Sequence, residues 1–199
     1  MIVQGSASPQ NIWTRYIDEN NNAVIRLTKN IVIKDIIDEI TQDTRQEYEY
    51  EEIEISVPNR DNLEQYITDN FDLFFQRDLE QVKQNKIKEL DKLCQEKIYG
   101  GFYSNADGTN KLYDFELENQ INMMGLQAKA MNGENISYYS KGEACHDYTP
   151  TQFLQLVSNG ATFKFNTIEK YKQLKNYVNS LTTSDEVNKT TFDSLIPTV

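Results

Sequence analysis

From Glu47 to Val57 the side chains alternate with period two (EYEYEEIEISV), and past Pro58 the apolar ones recur at three- and four-residue spacing as Leu63, Tyr66, Ile67, Phe71, Phe74 and Phe75. No single element type carries both periods, so the chain is bound to build strands first and helices afterwards. Upstream, IWTRYI at 12–17 and AVIRL at 23–27 flank DENNN, whose Asp and Asn residues tolerate turn conformations. IVIKDII at 31–37 is rich in β-branched residues and leads through a polar loop to the 47–57 strand. Two hairpins are predicted. The expected fold is α+β: a small N-terminal antiparallel β-hairpin layer with a helix, then a mostly helical C-terminal domain containing short β-hairpins.

The alternation in 47–57 changes phase. Tyr48 and Tyr50 occupy even positions, whereas Ile53, Ile55 and Val57 occupy odd ones. A β-bulge at Glu51 or Glu52 would restore continuity, and so would a strand that leaves one contact surface and joins another. In the second case Tyr48 and Tyr50, together with Trp13, become candidate interface residues that a neighbouring chain covers. Residues 1–11 hold Gly5, Ser6, Ser8 and Pro9 with few apolar side chains, so a flexible arm is expected unless a partner orders it. Asp61 with Glu64 three residues later fits a capping box, and a second helix is predicted over 78–98, stopped by Gly100-Gly101.

GFYSNADGTNKLYDF then fits a hairpin turning at Asp107-Gly108; as a calcium loop it would begin at Tyr103 and end at Asp114, which lacks the reach of a bidentate Glu. A helix over 116–132 places Leu117, Ile121, Met124, Ala128 and Met131 on one face, with Gly133 at its end. ISYYS at 136–140 and CHDY at 145–148 flank a turn at Lys141-Gly142. Thr149-Pro150-Thr151-Gln152 holds an N-cap, a first-turn proline and a reaching glutamine, a full helix start. That helix is expected to bend or break at Asn159-Gly160 and resume to Leu181. The tail adds at most one short helical turn before Pro197. The expected domains are 1–80, β-rich and acidic with its arm at 1–11, and 81–199, helical.

Charge is uneven. Residues 1–80 carry 17 Asp and Glu against 7 Lys and Arg, a balance of −10, and the remainder carries 14 against 13, a balance of −1. An acidic N-terminal half repels phosphates, so nucleic acid and anionic membranes are set aside as partners. It either keeps an exposed β layer apart from its copies or forms a docking face for a basic neighbour. No apolar run approaches the roughly 18 residues of a membrane-spanning helix, and MIVQGSASPQ lacks the layout of a secretory signal. Cytoplasmic residence is expected. Two cysteines and one histidine provide neither a disulfide framework nor a zinc spacing, and no metal or other cofactor is expected.

Reactive motifs are equally scarce. Cys145 and His146 are adjacent on a strand and so point to opposite faces. Phosphate-cradling glycine loops, G-x-S-x-G and H-E-x-x-H are missing from the sequence. A carboxylate pair of glycosidase type is not marked by any pattern. The polar cluster Glu118, Asn119, Gln120 and Asn122 sits where a helix begins, so its first members satisfy free N–H groups. Gln120 and Asn122 are assigned to a structural joint that fixes the angle between hairpin and helix. No catalytic residue is named.

Taken together, YEYEEIEISVP, LEQYITDNFDLFF, KIKELDKLCQEKIYGGF, ENQINMMGL, ISYYSKGEACHDYTPTQF and YKQLKNYV resemble the XkdW-type tail proteins of phages and phage-derived particles in Gram-positive bacteria. The resemblance spans roughly residues 25–199. Family members carry a cysteine in the helix before the hairpin and a glycine at its end, matched by Cys94 and Gly100-Gly101. Their D-Q-x-N element is matched by Gln120 and Asn122, with Asn119 in place of Asp. The resemblance implies a structural component near the baseplate or tail fibre, without cofactor, docked on other phage tail proteins. Its location would be the virion tail, with host cytoplasm during assembly. An assembly chaperone for a tail fibre or receptor-binding protein is the alternative, and homo-oligomerisation is left open.

Overall fold

In a computed structural model of the protein, the described residues are 2–5, 7–37 and 43–196. In chain order the elements are β1 (Ile2–Gly5), β2 (Ile12–Ile17), β3 (Asn22–Ile37), β4 (Thr44–Pro58), α1 (Leu63–Asp69), α2 (Phe71–Tyr99), β5 (Phe102–Ser104), β6 (Lys111–Tyr113), α3 (Leu117–Met131), β7 (Ile136–Tyr138), β8 (His146–Tyr148), α4 (Pro150–Ser180) and α5 (Ser184–Lys189). The fold is α+β. The chain forms two compact units, Met1–Gln84 with Leu181–Lys189, and Asn85–Ser180 with Thr190–Val199. The division lies inside α2, a little beyond the expected one at 80/81, and the return of 181–189 to the first unit was not foreseen.

The first unit is a four-stranded antiparallel sheet in the order β1-β4-β3-β2. Between β2 and β3 the Asp18 carboxylate accepts the N–H groups of Asn20 (2.9 Å) and Asn22 (2.8 Å), while Asn21 takes a left-handed φ of 58°. AVIRL and IVIKDII, expected as separate strands, are one strand of 16 residues. The punctuation at Asn30 is absorbed as a bulge. Asn30 adopts φ 54°, and the register steps from Lys29↔Glu51 to Val32↔Glu49, so Asn30 and Ile31 both stand opposite Tyr50. The bulge therefore lies on β3 and not at Glu51 or Glu52, because asparagine enters the left-handed region more readily than glutamate does.

With no insertion in β4, its two faces differ. Ile53 and Val57 face inward with Ala23, Ile25 and Leu27 of β3, and pack on Ile67 of α1 and Phe74 and Phe75 of α2. Burying each such side chain contributes about 2 kcal/mol. Tyr66 meets Phe74 edge-on at 6.1 Å. The Asp61–Glu64 capping box is not formed: Asn62 is the N-cap and makes no side-chain cap bond. A turn closed by the Leu63 N–H on the Arg60 carbonyl (3.2 Å) delays the helix past Asp61. The second helix starts at Phe71 instead of Asp78. Asn70 separates it from α1, donating from Nδ2 to the Tyr66 carbonyl (2.8 Å) and accepting the Phe74 N–H (3.1 Å).

The N-terminal arm also departs from expectation. Ile2–Gly5 add to the outer edge of β4, Val3 opposite Tyr50 and Gly5 opposite Tyr48. The chain's own long strand supplies the backbone donors and acceptors reserved for a partner. Met1, Ser6 and residues 38–42 and 197–199 lie outside the described residues.

In the second unit α4 opens as expected. The Thr149 N–H donates to Gln152 Oε1 (2.9 Å), and the Gln152 N–H reaches Thr149 Oγ1 (3.4 Å). The expected break at Asn159-Gly160 does not occur, and α4 runs unbroken for 31 residues. Gly160 serves packing: a Cβ there would lie 2.9 Å from Phe102 Cζ and 3.1 Å from Phe115 Cε2. Phe102, Tyr113, Phe115 and Phe163 form an aromatic cluster at that point. Cys94 is buried against α4, its thiol donating to the Thr167 carbonyl and its pKa raised by burial and by Asp91. The hairpins β5–β6 and β7–β8 form as predicted. On α3, however, the buried side chains are Gln120, Met123 and Ala130, and Leu117, Ile121, Met124 and Met131 are exposed.

Candidate docking surfaces

Strand pairing places Trp13 opposite Arg26 and Arg26 opposite Glu54, on the face of the first unit's sheet turned away from its core. Alternation along β4 puts Glu52, Tyr50 and Tyr48 on that same face, and Ile33, opposite Tyr48, joins them together with Ile37. Trp13 is half exposed, with the Arg26 guanidinium 5.3 Å from its ring centroid. Arg26 also pairs with Glu52 at 3.3 Å. Ala7–Gln10, Trp13, Arg26, Thr28, Tyr50 and Glu52 line a groove of about 330 Å³. Thr28 anchors its rim, its hydroxyl donating to the Gln10 carbonyl (2.8 Å). The three sequence-predicted interface residues thus share one face; Trp13 is exposed, and Tyr48 and Tyr50 are half-buried.

Beyond Lys29, β3 carries Ile31, Val32, Ile33 and Ile37, each 36–60% exposed. Here it pairs with β4 alone, because β2 reaches only as far as Leu27. Among the described residues, this stretch has no strand on its outer edge. Unpaired N–H and C=O groups beside β-branched side chains make a template for strand addition. Charge on the ribbon is arranged in pairs, Lys34 with Glu49 and Arg45 with Glu47. The Lys34 hydrogen bond, then that of Gln4, holds the Glu49 carboxyl below its ordinary range.

Gln120 and Asn122 are placed differently from each other. Gln120 is buried at the start of α3, donating from Nε2 to the Phe115 carbonyl (2.8 Å) and accepting from Lys164 Nζ (2.6 Å). One side chain thereby ties the end of the β5–β6 hairpin to α4. Asn122 is exposed and, with Ile121, Gly125, Leu126, Tyr139 and Cys145, borders a groove of about 490 Å³ beside α3. Cys145 is exposed there, whereas His146 packs on the Tyr148 ring at 4.3 Å.

A polar network linking the two hairpins escaped the sequence. Lys111 Nζ lies 3.0 Å from Asp107 and 2.8 Å from Glu143, and His146 Nε2 is 3.4 Å from Asp107. Burial alone would raise the Asp107 pKa, but Lys111 and the Thr109 N–H and hydroxyl outweigh it and bring it down to about 2. Beneath it the Tyr113 and Tyr148 hydroxyls meet at 2.9 Å in a fully buried site. Burial pushes both phenols above their ordinary range. The single hint in the sequence is Lys111 four residues after Asp107. Three or more His, Cys, Asp or Glu suited to a metal do not gather among the described residues, and no helix there is long and apolar enough to cross a membrane.

No curated protein and no solved structure matches the chain. Residues 81–191 match a family described as Domain of unknown function (DUF4376). That segment is more than half of the sequence and takes in both small hairpins, α3, α4 and α5, so the chain belongs to the DUF4376 family.

Proposed function

We propose that the protein is a non-enzymatic structural component of a phage or phage-derived tail, near the baseplate or tail fibre, that acts by docking on other tail proteins. The supporting observation is the ribbon of β3 and β4, with its bare edge and exposed Ile31, Val32, Ile33 and Ile37. A strand this long and apolar is a hazard for a free monomer and an asset for a part that ends covered. The tail assignment itself rests on the resemblance of the dispersed motifs. The test is quantitative proteomics of purified particles, paired with a cryo-EM map of the region. Stoichiometric presence with a neighbour's chain along β3 is expected. Expression without incorporation would favour the assembly chaperone, and turnover of glycan or peptide by the pure protein would overturn the reading.

A further inference from the structure

Leu117, Ile121, Met124, Ala128 and Met131 follow one another at spacings of four, three, four and three, the rhythm of a helix seam that meets another helix. At 3.6 residues per turn they fit within an arc of about 80°. All five are exposed, with Leu117, Ile121, Met124 and Met131 at 59–71%. The buried side of α3 is a different one, carrying Met123 and Ala130. We propose that this stripe is a homodimer contact, in which α3 packs antiparallel on α3 of a second copy around a two-fold axis at Met124.

Three features select that occupant. The stripe is symmetric about its middle, since Leu117 and Met131 lie equally far from Met124 on either side. In an antiparallel pair Met124 meets itself, Leu117 meets Met131, and the large Ile121 falls opposite the small Ala128, so that volumes interlock. Charge fixes the direction. Glu118 and Lys129 are exposed on the same flank of the stripe, near opposite ends of α3. A perpendicular two-fold axis brings Glu118 of each copy beside Lys129 of the other, twice per dimer. A parallel pair would set that flank against the side of Gln120 and Gln127 and match no charges. Gly125 on the charged flank leaves room for the helices to approach. The contact uses no residue of the β3–β4 ribbon and stands apart from the tail assignment.

The test uses the full chain with Cys145→Ser, removing the exposed native thiol. Under mild oxidation, Met124→Cys is expected to form a disulfide-linked dimer. Leu117→Cys should not link to itself, its two copies being about 20 Å apart, but should link to Met131→Cys when the two proteins are mixed. In sedimentation equilibrium of uncross-linked protein, Glu118→Lys or Lys129→Glu alone should weaken association about tenfold, and the double reversal should restore it. Met124→Glu should abolish association with an unchanged circular dichroism spectrum. A chain that stays monomeric up to about 1 mM, a Leu117→Cys self-link, or a double reversal that fails to restore binding would each overturn the proposal.

Discussion

Gly160 and Asp107 each do something their residue type does not ordinarily do. Alanine in place of a mid-helix glycine usually stabilises by about 1 kcal/mol. At Gly160 the added Cβ would press on Phe102 at 2.9 Å, and that ring is buried and held by its neighbours. We expect Gly160→Ala to destabilise by about 1–2 kcal/mol, measured by urea unfolding; a stabilised variant would contradict the packing role. Asp107 has its folded pKa lowered from 3.8 to about 2. A lowered carboxyl pKa adds stability above the unfolded value, and that stability is lost as pH falls through the folded one. About 2 kcal/mol should therefore disappear between roughly pH 4 and pH 2. Asp107→Asn should flatten this part of the stability–pH curve while lowering stability at pH 7.

Between elements, the β5–β6 and β7–β8 hairpins are held by one buried hydroxyl pair under a charged lid. Tyr113→Phe or Tyr148→Phe leaves the remaining hydroxyl without its partner and should cost about 1–2 kcal/mol. The double variant removes both groups and should cost less than the sum, with a coupling of about 1 kcal/mol in a double-mutant cycle. Additive losses would mean that the hydroxyl contact contributes nothing. The start of α4 is a second such junction. Thr149→Ala removes a reciprocal cap and should cost about 1 kcal/mol in the same assay, whereas no equivalent loss is expected for Asp61→Ala, since α1 begins beyond it at Leu63.

For the molecule as a whole, the sheet's second face and the ribbon give the acidic first unit its outward surface. Ile33→Glu with Ile37→Glu alters side chains that are 55% and 60% exposed, so stability should move by less than about 1 kcal/mol. Incorporation into particles should nevertheless be lost; unimpaired incorporation would remove the ribbon from the docking scheme. Local chemistry settled much of the architecture in advance. Period two before Pro58 and helical spacing after it fix strand and helix identity, because side-chain direction repeats with the backbone, and Thr149-Pro150-Thr151-Gln152 caps α4 with groups that lie within one turn. Position in space was a different matter. Whether Asn30 breaks a strand or bulges it, whether Gly160 bends a helix or admits a ring, and whether the α3 stripe faces inward or outward all depend on atoms contributed from far along the chain. Burial and pairing are relations between segments, and the sequence of one segment does not contain the position of the other.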